Sequence, residues 1–308
     1  MHLNGHKEET NVKKHIFTGA GVAIVTPMFP DGSIHYEKLG ELIDWQIACS
    51  TDAIVICGTT GESACMTDNE HIDCIAFAVK RAAGRVPVIA GAGSNDTRYA
   101  EELSKEAKNL GVDALLHVTP YYNKTSQRGL LTHFTKIADA TDLPVILYNV
   151  PSRTGVNIKP ETCRALSEHP NICAVKEASG NISQVAQIKA LCGDALDIYS
   201  GNDDQIVPIL SLGGRGVISV LSNVMPREAH DICALYLEGK TAESADLQLK
   251  LLPLVNHLFM DVNPIPVKAA MNLMGMDVGE CRPPLVGMEA EQIEKLAASM
   301  RAVGLIIK

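Results

Sequence analysis

From Gly19 onward the chain alternates short apolar runs rich in β-branched residues with longer stretches whose apolar positions recur every three or four residues. The short runs read as buried strands and the longer ones as amphipathic helices. Strands are predicted over 21–26, 53–57, 86–91, 114–119, 145–149, 172–176, 196–200 and 216–220. Helices are predicted over 36–50, 67–83, 96–109, 127–141, 160–169, 182–192, 203–212 and 226–238. Thr67 followed by an acidic turn suits a helix start, and Gly111 suits a stop, because glycine takes the left-handed cap conformation without a steric penalty.

Regular alternation of strand and helix marks βα units, which build parallel sheets. Eight such units argue for a closed (β/α)8 TIM barrel over an open sheet, and 308 residues accommodate one with extensions. After Gly239 the strand pattern stops, and 242–261, 265–274 and 289–303 read as a C-terminal three-helix addition. The expected organisation is a loose tail over 1–15, a catalytic barrel over 16–239 and a helical domain over 240–308.

Charge and cysteines narrow the function classes. A net charge of −9 with no long Lys/Arg run disfavours nucleic acid and anionic membrane surfaces as partners. Nine cysteines, an odd number without Cys-x-x-Cys spacing, read as reduced core thiols of a cytoplasmic protein rather than a disulfide framework or zinc site. No His-Glu-x-x-His and no other metal-ligand spacing occurs, so no metal is expected. No apolar segment reads as a signal peptide or a membrane span.

The polar motifs gather after the strands, on the face where barrels carry their chemistry. Gly58-Thr59-Thr60-Gly61-Glu62-Ser63 follows the second strand, Pro120-Tyr121-Tyr122-Asn123 the fourth, and Tyr148-Asn149-Val150-Pro151-Ser152-Arg153-Thr154-Gly155 ends the fifth. The sixth ends in Lys176, the seventh in Ser200-Gly201-Asn202-Asp203, and the eighth carries Ile218-Ser219. Lys176 has two readings: a strand-end lysine that snorkels to water, or an amine whose apolar surroundings favour its neutral, nucleophilic form and hence a Schiff base. If Lys176 points inward, strand alternation sends Ala174 and Ile172 inward with it and Cys173 and Val175 toward the helices. The same parity turns Tyr148 inward, where its phenol could pass protons beside the Thr59 and Thr60 hydroxyls. Arg153, in a proline-stiffened loop, suits bidentate capture of a carboxylate or a surface ion pair. Gly213-Gly214-Arg215-Gly216 precedes the eighth strand, on the opposite face, and reads as a tight turn.

Gly58-Thr59-Thr60-Gly61-Glu62, Tyr148 to Gly155 and Lys176-Glu177, in that order and at those separations, resemble the pyruvate-dependent class I aldolase family of N-acetylneuraminate lyase-like barrels. The likeness covers 16–307 and includes Asn263-Pro264-Ile265-Pro266-Val267-Lys268. It implies that Lys176 forms a Schiff base with pyruvate. In the branch this chain resembles most, a synthase of diaminopimelate and lysine biosynthesis, the enamine then attacks L-aspartate-4-semialdehyde. The resemblance further implies a proton relay of Tyr148, Thr59 and Tyr122, with Tyr122 reaching a neighbouring subunit and hence a homodimer or homotetramer. Thr60, Gly201 and the backbone around Ile218 would hold pyruvate, and Arg153 the carboxylate of the semialdehyde. Because the iminium is itself the electron sink, no cofactor is expected.

Arg153 tells against the sialic-acid lyase branch, which normally lacks arginine in that loop. A non-catalytic keto-acid-binding barrel would lack reason to keep Lys176, Tyr148 and Thr59 together. Ser63, Ala64, His71, Asn95 and Tyr121 match the lysine effector pocket of the family, but Asp68 and Tyr99 stand where inhibited members usually carry histidine and glutamate. Feedback inhibition by lysine is therefore expected to be weak. Asn202 replaces a commoner aspartate, for which the sequence offers no account.

Overall fold

The apolar runs become strands covered on both faces, which is why they are continuous rather than alternating. The computed structural model describes residues 13 and 15–307, so the tail expected over 1–15 falls mostly outside the described residues. The strands are β1 (Gly19–Ala23), β2 (Ala53–Ile56), β3 (Val88–Gly91), β4 (Ala114–Val118), β5 (Val145–Asn149), β6 (Ile172–Glu177), β7 (Asp197–Ser200) and β8 (Gly216–Ser219). Each pairs in parallel with the next, and β8 returns to β1, closing the barrel. Around it lie α1 (Tyr36–Ala48), α2 (Asp68–Ala82), α3 (Thr97–Leu110), α4 (Gln127–Asp139), α5 (Pro151–Thr154), α6 (Pro160–Leu166), α7 (Ile182–Cys192), α8 (Ile206–Ser211) and α9 (Pro226–Leu237). Three helices follow the barrel: α10 (Thr241–Leu258), α11 (Ile265–Leu273) and α12 (Ala290–Ala302).

The start and stop signals act as their chemistry requires. Thr67 and Glu70 form a reciprocal capping box on α2, and Gly111 closes α3 at φ +87°. The barrel interior is filled by Ala23, Val55, Ile89, Leu116, Ala174 and Ile218 with their neighbours. At its N-terminal end Phe17 stacks on Tyr199 with ring centres 4.3 Å apart, and the Tyr199 hydroxyl donates to the Phe17 carbonyl at 2.7 Å. The described end of the N-terminal segment is docked there too: Lys13 Nζ donates to the Ser167 and Ile172 carbonyls, and His15 lies 2.6 Å from Asp197.

Three expectations are corrected. The first strand lies earlier than 21–26, because its register is set at Gly19, opposite Gly216, and not by the apolar residues that follow. A Cβ on Gly216 would lie 1.8 Å from the Gly19 carbonyl oxygen, so the two strands meet where only glycine allows such an approach. Strand parity in β6 is broken at its start. Val145 pairs with Ile172 but Ile146 with Ala174, and this bulge places Ile172 in the helix-facing core instead of the barrel interior. Ala174, Val175 and Lys176 keep the expected alternation. The helix expected over 203–212 begins as a 3₁₀ turn at Asp203–Gln205, because the Asp203 side chain turns away to cap backbone in the next loop.

The C-terminal helices share the core of the barrel. Leu251, Leu254 and Leu258 of α10, Met271 of α11 and Leu296 of α12 belong to one apolar cluster with Val22 of β1 and the adjoining Ile24. A buried ion pair reinforces the junction. Lys268 of α11 donates to Glu62 at 2.9 Å and to the carbonyls of Thr26 and Glu280, while Glu62 also accepts from the Arg282 backbone N–H at 2.8 Å. None of the described helices is long and apolar enough to cross a membrane.

Candidate active site

Lys176 occupies the penultimate position of β6, paired with Tyr148 of β5 on one side and Tyr199 of β7 on the other. It is only 6% exposed, and its Nζ stands 4.3 Å from the centre of the Tyr148 ring. No salt bridge involves it among the described residues. The next side chain points the other way. Glu177 is buried behind the strand and accepts hydrogen bonds from Asn149 (2.9 Å), Gln184 (3.1 Å) and the Ser179 N–H (2.7 Å). Three fixed donors on that carboxylate hold the end of β6, and with it the backbone that carries the lysine.

Gly201 makes room for the amine. A Cβ there would come 2.6 Å from the Ala178 Cβ and 3.2 Å from the Lys176 Cε. The cavity left at the mouth is about 150 Å³, and Thr59, Thr60, Tyr148, Arg153, Lys176 and Asn202 are among its walls. Among the described residues two potential cations line it, Lys176 and Arg153, and no aspartate or glutamate does. Such a chamber favours a small ligand bearing carboxylates.

Arg153 arrives on α5, a turn of helix that begins at Pro151. Its Nη2 donates to the Asn263 carbonyl at 3.2 Å, and the Asn263 side-chain N–H₂ donates to Thr60 Oγ1 at 2.9 Å. Asn263 was not among the sequence-predicted site residues, although the segment it opens, Asn263 to Lys268, belongs to the family likeness. Asp203 was likewise absent from that set. It is buried at the end of β7, accepts from the Val220 and Leu221 N–H groups at 3.0 and 2.9 Å, and burial raises its carboxyl pKa. Its role is to join the β7 and β8 loops, so that Val220 borders the cavity while Ile218 packs one layer below in the barrel interior.

Tyr122 is not brought to Lys176 within the chain. It is 93% exposed, on a loop where both Tyr122 and Lys124 have left-handed backbone, a conformation that costs energy for a tyrosine or lysine. Thr59 lies on the boundary between the small chamber and a second cavity of about 700 Å³, which Ser63, Ala64, His71 and Tyr121 help to line. Asn95 does not line it but donates to the Tyr121 carbonyl at 3.1 Å. Burial lowers the His71 pKa, and its Nε2 lies 2.7 Å from the Gly91 carbonyl, consistent with a neutral ring donating there. Asp68 and Tyr99 also face this cavity and are engaged with each other: the Tyr99 hydroxyl donates to Asp68 at 2.7 Å, and burial followed by that carboxylate pushes the phenol up to about 12.

Comparison with known proteins places this geometry among relatives. The profile of the Dihydrodipicolinate synthetase family matches residues 16–303. The 4-hydroxy-tetrahydrodipicolinate synthase of Lachnoclostridium phytofermentans is 61% identical over 292 residues, 94% of this chain and 99% of its own length. That of Caldicellulosiruptor saccharolyticus is 57% identical over 293 residues, 95% of this chain and 99% of its own. The crystal structure of dihydrodipicolinate synthase from Aquifex aeolicus superimposes with a TM-score of 0.92 at 44% identity, covering 95% of this chain and all of that one.

Proposed function

The chain belongs to the dihydrodipicolinate synthetase family, and from that premise we propose that it condenses pyruvate with L-aspartate-4-semialdehyde to 4-hydroxy-tetrahydrodipicolinate, with Lys176 as the imine-forming amine. The observation that carries the assignment of Lys176 is a buried lysine against a tyrosine ring, in a chamber walled by an arginine and by no carboxylate. The neutral amine attacks C2 of pyruvate, water leaves, and an iminium forms. Loss of a methyl proton gives the enamine, whose C3 attacks the aldehyde carbon, and the new alkoxide takes up a proton. The amino group of the former semialdehyde then attacks C2, closes the ring and releases Lys176. Tyr148 and Thr59 pass the protons, Thr60 and the β8 loop hold the pyruvate carboxylate, and Arg153 holds that of the semialdehyde. Gly201 leaves space for the intermediates.

Pyruvate-dependent consumption of L-aspartate-4-semialdehyde, coupled to a dipicolinate reductase and read as NADPH loss, tests the reaction. A silent assay, despite trapping of pyruvate on Lys176, would mean that the aldehyde partner is wrong, as in the sugar-acid aldolases. In this reading the chain works in the cytoplasm as a homodimer or homotetramer, with 16–239 as the catalytic barrel and 240–308 as its helical addition.

The exposure of Tyr122 supports its completing the site of a neighbouring copy rather than its own. Tyr122→Phe is expected to lower kcat by about one to two orders of magnitude without moving the melting temperature, since only a proton-passing hydroxyl is lost. Turnover like that of the wild type would remove Tyr122 from the relay.

The larger cavity is the counterpart of the family's effector pocket, and of the two carboxylates that line it among the described residues one is already in an ion pair. Glu62 is paired with Lys268, and Asp68 accepts from Tyr99. Because Tyr99 stands where inhibited members carry a glutamate, an incoming amino acid would find one carboxylate fewer for its ammonium groups, so lysine is expected to inhibit only weakly. Half-inhibition at sub-millimolar lysine in the coupled assay would contradict this.

A further inference from the structure

We propose that Asn263, contributed from outside the barrel, is a positioning residue that fixes the direction of the Thr60 hydroxyl proton and so tunes the affinity for the keto acid. The inference rests on the reading of Lys176 as the imine-forming amine and of Thr60 as a contact of the pyruvate carboxylate.

Asn263 stands where the two cavities meet and forms part of the wall of both. Its two contacts reach the two groups assigned to substrate carboxylates. The side-chain N–H₂ donates to Thr60 Oγ1 at 2.9 Å, and the backbone carbonyl accepts from Arg153 Nη2 at 3.2 Å. Thr60 is 3% exposed and has no other side-chain hydrogen bond among the described residues.

A threonine hydroxyl has one proton and two lone pairs. When one lone pair receives a proton from Asn263, the hydroxyl's own proton must point elsewhere, and the chamber that Thr60 lines is what it faces. The hydroxyl is thereby set as a donor toward a carboxylate. Without Asn263 it is free to rotate and to present lone pairs to the same anion. The other end of the amide, Asn263 Oδ1, is buried and accepts no hydrogen bond among the described residues.

Steady-state kinetics on the full chain test this. Asn263→Ala is expected to raise KM for pyruvate about tenfold, with kcat and KM for the semialdehyde within about threefold, since the Arg153 prop is backbone and survives. Asn263→Asp keeps the shape but can only accept, so the Thr60 proton turns toward it and KM for pyruvate rises further. A packing role predicts the reverse order, with the isosteric variant milder. In a Thr60→Val background, Asn263→Ala is expected to add nothing to KM for pyruvate. Additive effects, the reverse order, or an unchanged KM for pyruvate would overturn the assignment. If Asn263→Ala fails to fold, the isosteric Asn263→Asp decides alone. Absence of borohydride-trapped pyruvate on Lys176 in the unmutated protein would bring down the parent reading and this one with it. Trapping together with an unchanged KM in the variants overturns only the role of Asn263.

Discussion

Borohydride added with pyruvate is expected to fix the three-carbon unit on Lys176, and Lys176→Ala is expected to abolish both this adduct and the condensation, lowering kcat by about 10³-fold or more. The loss should be that large because nothing nearby can substitute for the amine. The other basic group lining the chamber is Arg153, whose guanidinium stays protonated and does not act as a nucleophile. Lys268 is committed to Glu62 and two carbonyls. The fold is expected to survive, since Lys176 forms no salt bridge among the described residues and alanine removes only its stem and the ammonium's contact with the Tyr148 ring. Intact-protein mass with peptide mapping reads the adduct, and a thermal melt reads the fold. An adduct elsewhere on the chain, or a variant within tenfold of wild-type turnover, would assign the nucleophile to another residue.

The second large effect concerns stability. Lys268→Met is expected to destabilise the protein by about 3–5 kcal/mol, because it strands Glu62 as an unpaired charge away from water. Both side chains are almost wholly buried, at 2% and 0% exposure. The substitution also takes the donor from the Thr26 and Glu280 carbonyls. Adding Glu62→Gln should restore part of the loss, since a neutral amide costs less to bury, although the Arg282 N–H keeps its acceptor only if the amide oxygen faces it. Denaturant unfolding of both variants measures the difference. A cost below about 1 kcal/mol for the single change would show that water reaches Glu62.

The barrel was legible because each strand is a short apolar run ended by polar or glycine-rich sequence, and each following helix carries its own periodicity. Where the reading slipped, a backbone in another part of the chain had decided the outcome. The register of β1 depends on how closely Gly19 approaches Gly216, which apolar pattern alone does not encode. Ile172 left the barrel interior because of a bulge against β5, and no residue type announces that. The short α5 hid within a motif read as a loop. At the site, Lys176, Tyr148, Thr59, Thr60 and Arg153 meet in one chamber, as expected from strand ends sharing a face. Asn263 and Asp203 lay within motifs read from the sequence but were given no role there, for one common reason: each acts on a group distant in sequence, Asn263 on Thr60 and Asp203 on Val220 and Leu221.

The shared core has a consequence for how the chain is made. β1 emerges from the ribosome early, yet its barrel neighbour β8 begins only at Gly216, and the cluster that packs its outer face draws on residues as late as Met300. At ordinary synthesis rates the interval between them is on the order of tens of seconds. Throughout it, Val22 and Ile24 must remain uncovered or be shielded by something other than their final partners. The earliest strand is thus the last to be enclosed, and the nascent polypeptide spends most of translation with an adhesive surface that its own later sequence will eventually hide.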